Sequence, residues 1–193
     1  MEYSYSELKK LQMEEKLVRK YFVLVLLVAA RLYGQDQPTD LRAAAGCGPA
    51  RIQFNVKTDK KQHTVAQPEP GKALIYVFSE YISERGYQTI GHVTTRVGMD
   101  GNWMGASHQS SYMFFSAEPG AHRLCSDVQS MFAPKNLSAA ADLSAEPGKT
   151  YYYRVVVKDT HIEPVHMVMS PMDEAEGLLM ISKSALSTSQ AKK

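Results

Sequence analysis

Glu69-Pro70-Gly71-Lys72-Ala73-Leu74-Ile75-Tyr76-Val77-Phe78 is the stretch that decides the fold class of this chain. Proline presets the first central φ of a β-turn, and glycine supplies the positive φ that a type II turn needs next. Ala73 to Phe78 then forms an unbroken apolar run of strand length. The same punctuation returns at Glu118-Pro119-Gly120, ahead of Ala121 to Val128, and at Glu146-Pro147-Gly148, ahead of Tyr151 to Val157. The runs behind the three turns share no further pattern, so the turns mark strand starts and not a sequence repeat.

On both sides of this stretch the apolar period stays close to two. Ile52, Phe54 and Val56 alternate with Gln53 and Asn55, the signature of a half-buried strand. His92 to Met99 is rich in β-branched residues and runs into Asp100-Gly101, then Asn102-Trp103-Met104. Asp-Gly between two such runs predicts a tight type I′ hairpin. Ser111 to Ser116, Leu137 to Leu143 and Val165 to Met169 complete the set of strands. Short strands separated by turn signals predict an all-β fold, an antiparallel β-sandwich of about seven to nine strands. One short helix is expected at Pro171 to Ser182. Asp173, Glu174 and Glu176 stand at its head, where the helix dipole favours negative charge. Met172, Ala175, Leu179 and Met180 form its weak apolar face, and Gly177 counts against it. From Ser184 onward the chain is polar and reads as a frayed end.

A length of 193 residues allows one domain with appendages. The composition, 44% hydrophobic and 22% charged, is that of an ordinary globular chain. A formal charge of +2 with scattered Lys and Arg provides no electrostatic footprint for nucleic acid. The run Lys57, Lys60, Lys61 reads as a solvated loop.

Lys16, Arg19 and Lys20 precede the apolar run Tyr21 to Ala30. A basic flank followed by about 7–15 apolar residues is the pattern of a secretory signal. The run is short of the roughly 20 residues that a membrane-crossing helix needs. Residues 1–34 are therefore read as a signal peptide or N-terminal anchor, with cleavage after Ala30 or Gly34, and Met1 or Met13 as the start. Residues 35–46 form a linker, 47–185 the β-sandwich domain and 186–193 a disordered tail. Ala44-Ala45-Gly46-Cys47 looks superficially like a lipidation box. Such a box directly ends the apolar run, whereas Arg31 to Arg42 intervenes here, so lipidation is set aside.

The mature chain carries Cys47 and Cys125. An even pair in an exported protein points to a disulfide, and the alternative is two unrelated thiols. No Cys-x-x-Cys is present, which argues against a redox or zinc motif of that type.

At Pro70-Gly71-Lys72-Ala73-Leu74-Ile75-Tyr76-Val77 the chain resembles an uncharacterised bacterial exported domain, domain-of-unknown-function family 2846. The resemblance continues through Val97-Gly98-Met99-Asp100-Gly101, Gly105, Ser111-Tyr112, Pro119-Gly120-Ala121-His122 and Pro147-Gly148-Lys149-Thr150-Tyr151-Tyr152, and reaches Glu176-Gly177. It covers roughly residues 47 to 185. It implies an exported or lipid-anchored envelope protein with a β-sandwich, and carries over no catalytic residue. This chain departs in lacking a lipidated cysteine beside its signal, which puts direct anchoring in doubt.

The candidate sites divide by chemistry. Among the histidines, only His161 and His166 lie close in sequence, while zinc needs three or four converging ligands. His122 follows a Pro-Gly turn at the start of a strand, a place for a sheet-rim residue or a ligand contact. His166, Met167, Met169 and Met172 carry copper-compatible groups. Met167 and Met169 sit two apart on a strand, however, and share a face with Val165 as core. Ser107-His108 lacks a Gly-x-Ser-x-Gly elbow, and Asp100 is explained by its turn. Neither metal nor cofactor is expected. Trp103, Tyr112 and Tyr152 offer stacking surfaces for a carbohydrate or peptide. Alternation sends Tyr151 and Tyr153 to one face and Tyr152 to the other; one of those faces must be core.

The sequence thus leads to an exported, non-catalytic module of the periplasm or cell envelope that binds a protein or polymer partner. It would touch the membrane only through residues 21–30, if these stay attached as an inner-membrane anchor. The other expectation is an envelope hydrolase or metal-handling protein with a site assembled from distant residues.

Overall fold

The computed structural model describes residues 47–84, 93–129 and 137–192. The apolar run Tyr21 to Ala30, the linker and the two candidate starts lie outside the described residues. The strands are β1 (Phe54–Asp59), β2 (Ala73–Ser83), β3 (Thr94–Met99), β4 (Asn102–His108) and β5 (Ser111–Ala117). They continue with β6 (Gly120–Val128), β7 (Ser138–Ala145), β8 (Thr150–Asp159) and β9 (His166–Met172). Helix α1 (Glu174–Lys183) and strand β10 (Ala185–Ala191) close the domain.

Two sheets pack face to face. One has six strands in the order β1-β10-β5-β2-β8-β9, the other four in the order β4-β3-β6-β7. The expected sandwich with a short C-terminal helix is present, but it is not wholly antiparallel. β2 pairs parallel with β8, and β10 pairs parallel with β5. The first parallel pair has a cause in the repeated turns. Lys72 N–H donates to Glu69 O at 3.0 Å and Lys149 N–H to Glu146 O at 3.3 Å. Gly71 and Gly148 sit at φ 79° and 75°, as type II turns require. The two turns lie side by side: Leu74 N–H reaches Lys149 O and Gly148 N–H reaches Lys72 O. Two strands launched from adjacent turns necessarily run the same way.

The third such turn differs. Gly120 is at φ 140° and already pairs with Ala145 as the first residue of β6. The Asp100-Gly101 hairpin is as expected, with φ of 51° and 80°, the type I′ signature.

The central strand β2 explains why Ala73 to Phe78 shows no alternation. Ala73, Ile75 and Val77 enter the aliphatic core between the sheets, together with Val97, Leu124, Leu143, Val155 and Val157. Leu74, Tyr76 and Phe78 enter a second cluster on the opposite face, with Tyr112, Tyr152, Ile181 and Leu186. A strand covered on both faces reads as a continuous apolar run. Met167 and Met169 are in the inter-sheet core with Val165 packed beside them.

Helix α1 covers the second cluster. Asp173 caps it, accepting the Glu176 N–H at 2.7 Å. Pro171 belongs to β9 instead, an outermost strand of its sheet where a missing N–H is tolerated. Gly177 is a requirement rather than a defect. A Cβ there would lie 2.3 Å from the Tyr152 ring, so only glycine lets the helix approach the sheet. Gly177 and Ile181 are the buried residues of α1, and Met172 and Met180 pack against the second cluster as the sequence suggests, whereas Leu179 is 51% exposed.

The polar end is also corrected. Residues 185–191 form β10, antiparallel to β1 along its length. Its serines close an edge of the facing sheet. Ser189 Oγ accepts from Ala106 N–H at 2.9 Å and Ser187 Oγ from His108 N–H at 3.4 Å. β4 thereby loses the unpaired donors that make an edge strand a template for aggregation.

Candidate functional site

The four aromatic and histidine positions singled out in the sequence go to three separate places. Tyr112 and Tyr152 are buried, so they are core and not a stacking platform. The reason is the double cover over the six-stranded sheet. Tyr76 stacks on Tyr152 with centroids 5.4 Å apart and lies 6.0 Å from Tyr112. The segment 64–66 lies against the hydroxyls of this cluster: Thr64 N–H donates to Tyr112 Oη at 2.8 Å and Ala66 N–H to Tyr76 Oη at 2.7 Å. Burial pushes both phenols above their ordinary pKa and outweighs the Ala66 and Thr64 N–H donors, which act in the opposite direction. Tyr151 and Tyr153 face the inter-sheet core, so alternation holds on β8 but both faces are covered.

His122 sits at the start of β6 against the β3–β4 hairpin. Its Nδ1 is 2.6 Å from Asp100 Oδ2 and its Nε2 is 2.7 Å from Glu118 O. Both neighbours are acceptors, and a neutral imidazole has only one N–H, so the geometry is satisfied by the imidazolium. The bond to Asp100 holds the imidazole above its ordinary pKa. Burial pushes the Asp100 carboxyl up, but the Arg123 N–H and His122 outweigh it and hold it below the ordinary value. Asp100, His122, Arg123, Asp142 and Ser144 line a shallow open depression of about 420 Å³. Arg123 is itself paired to Asp142 at 2.6 Å.

Trp103 lies on the outer face of the four-stranded sheet. Register places Trp103 and Cys125 on either side of Gly98, and Arg96 opposite Asp127. Directly opposed residues share a face, so these side chains form one shelf. Arg96 is 7% exposed and grips Asp127 through Nε at 2.7 Å and Nη2 at 2.5 Å, the two-pronged geometry that suits a shielded charge pair. Its guanidinium also lies 4.4 Å from the Trp103 ring centroid, a cation–π arrangement.

On this shelf rests the segment 47–52. Cys47 is disulfide-bonded to Cys125. Gly48 lies on the indole, where a Cβ would come within 2.4 Å of the ring. Trp103 Nε1–H donates to Pro49 O at 2.9 Å, and Arg96 Nη1 donates to Ala50 O at 3.2 Å and to Ile52 O. Beyond it, Gln129 pairs with Phe54 through both backbone groups, at 2.6 and 2.9 Å. The disulfide expected from the cysteine count is present, and the Cys47 sulfur is committed to it. Trp103 is therefore occupied by the chain's own residues.

Other candidates are engaged separately. Ser107 Oγ is 2.6 Å from Ser79 Oγ, while His108 Nδ1 is 3.0 Å from Thr94 Oγ1, so Ser107 and His108 form no dyad. His166 Nδ1 is near Pro164 O and 3.6 Å from Glu163, and His161 Nε2 contacts Glu84 O at 3.2 Å. Among the described residues no three His, Cys, Asp or Glu side chains converge as metal ligands, and no helix is long and apolar enough to cross a membrane. Arg96, the hub of the shelf, was not singled out in the sequence. Its signal is an arginine inside a β-branched run, a charge that a half-covered strand must pair. No family model, curated protein or solved structure matches the chain.

Proposed function

We propose that this chain is an exported, non-catalytic β module of the cell envelope that binds a protein or polymer partner. The observation that carries it is the Cys47–Cys125 disulfide, because such bonds persist in oxidising compartments and are rare where glutathione and thioredoxin keep thiols reduced. The basic flank and apolar run at residues 16–30 support export on independent grounds. The non-catalytic reading is supported by the use made of each nucleophile and imidazole discussed above: their partners are structural carbonyls, hydroxyls and carboxylates. A reporter fused after Gln35 should leave the cytoplasm, and retention there would end the export reading. Crosslinking in the envelope followed by affinity recovery should then yield one dominant partner.

A second reading, a hydrolase or metal-handling protein, draws on one observation. The Asp100–His122 pair borders the open depression near Arg123 and Asp142. An imidazolium with both nitrogens bonded to acceptors cannot take a proton, which favours the binding module. Hydrolysis of ester substrates that is lost in His122→Gln would reverse that preference.

A further inference from the structure

Besides the disulfide, the segment 47–52 makes four contacts with one shelf, and they have the form of ligand recognition. Three are polar and address only backbone: the indole N–H to Pro49 O, and Arg96 Nη1 to Ala50 O and Ile52 O. The fourth is a steric test, the flat indole against Gly48, which admits no side chain. The guanidinium has anchors besides the segment, in Asp127 and the indole. Donors anchored in this way lower the ordering cost of binding. The segment itself has little hold of its own. Pro49, Ala50, Arg51 and Ile52 are exposed on top of the shelf, and within residues 47–52 the backbone bond is Ile52 N–H to Pro49 O at 3.2 Å.

We propose that the Arg96–Trp103 shelf is a docking groove for a turn-forming peptide whose first contact residue is glycine. The chain fills this groove in cis with Gly48 to Ile52, and the Cys47–Cys125 disulfide is the latch that keeps the filling in place. Specificity for sequence is low by construction, because three of the contacts read carbonyls. Selection acts at one position, the residue on the indole. The groove goes beyond the partner-binding reading and does not rest on it, since a partner bound elsewhere would leave the shelf unchanged.

The test opens the groove and offers the peptide in trans. The full chain carrying Cys47→Ser and Gly48→Val has a free Cys125 and a segment that the indole cannot accept. It is incubated in glutathione redox buffer with the heptapeptide Cys-Gly-Pro-Ala-Arg-Ile-Gln. Capture is thiol–disulfide exchange: the peptide thiolate attacks the Cys125–glutathione disulfide, the new S–S bond forms, and glutathione leaves as its thiolate. The expected result is capture at least about tenfold above that of the same peptide with valine in place of glycine, roughly 1.4 kcal/mol. Trp103→Ala in the chain should erase that ratio. Equal capture of the two peptides by a folded chain, checked by its amide NMR spectrum, overturns the proposal. If the double variant does not fold, Cys47→Ser alone is used with the peptides in large excess, and the same ratio decides.

Discussion

The aromatic residues of this protein occupy two regions that look alike in the sequence and behave differently in the fold. Tyr76, Phe78, Tyr112 and Tyr152 lie on β2, β5 and β8, on the face of the six-stranded sheet that α1 and residues 64–66 cover. Trp103 lies on the outer face of the four-stranded sheet where, among the described residues, the segment 47–52 and the Arg96 guanidinium cover it. The first region is sealed by a helix packed through Gly177 and Ile181. The second is sealed by one disulfide and a few carbonyl contacts. An aromatic residue's availability thus follows from what covers its sheet face, and strand alternation alone cannot reveal that cover.

The difference is open to measurement. Phe78→Ala should cost about 4 kcal/mol, the usual range for deleting a fully buried ring, read from urea unfolding. Trp103→Ala should cost only about 2 kcal/mol, the sum of a cation–π contact and one hydrogen bond. If the two losses are equal, the contrast between sealed and latched regions fails. Tyr76→Phe keeps the stacked ring but strands the Ala66 N–H, so a loss of about 1 kcal/mol is expected, with faster amide exchange confined to residues 64–66.

The smallest effect concerns pH. Because the folded pKa of His122 is raised above 6.5, its stabilisation is complete below about pH 6.5 and is lost as pH rises through the raised value. For Asp100, whose pKa is lowered from 3.8, the contribution is present above that value and lost as pH falls through the folded one. The melting temperature should therefore decline on the alkaline side, and Asp100→Asn should flatten that decline. An unchanged slope in the variant would show that the pair does not hold the hairpin to β6.

Much of the fold is legible from local chemistry. Nine strands, the type I′ hairpin and the capped helix follow from alternation or unbroken apolar runs, Asp100-Gly101 and Asp173. β10 escaped because Ser187 and Ser189 look solvated, whereas their hydroxyls serve backbone donors of β4. The parallel pairing of β2 with β8 escaped because it depends on two turns meeting in space. At the candidate site, Cys47 and Cys125 were legible as a pair, but nothing in the sequence placed Trp103 beside them. Arg96 was missed because its local signal, a charge inside a β-branched run, does not name Asp127 as the partner that register supplies. Gly177, read as a weakness of the helix, is the residue that seats it on Tyr152.

The Cys47–Cys125 bond latches residues 47–52 to the four-stranded sheet, and its persistence calls for an oxidising space. Closing so long a loop should contribute up to about 4.5 kcal/mol, so the bond's state is worth reading directly. Protein recovered from the envelope fraction, alkylated without reductant and digested, should give one cross-linked peptide pair joining Cys47 to Cys125. Recovery of both cysteines as alkylated thiols would contradict the account.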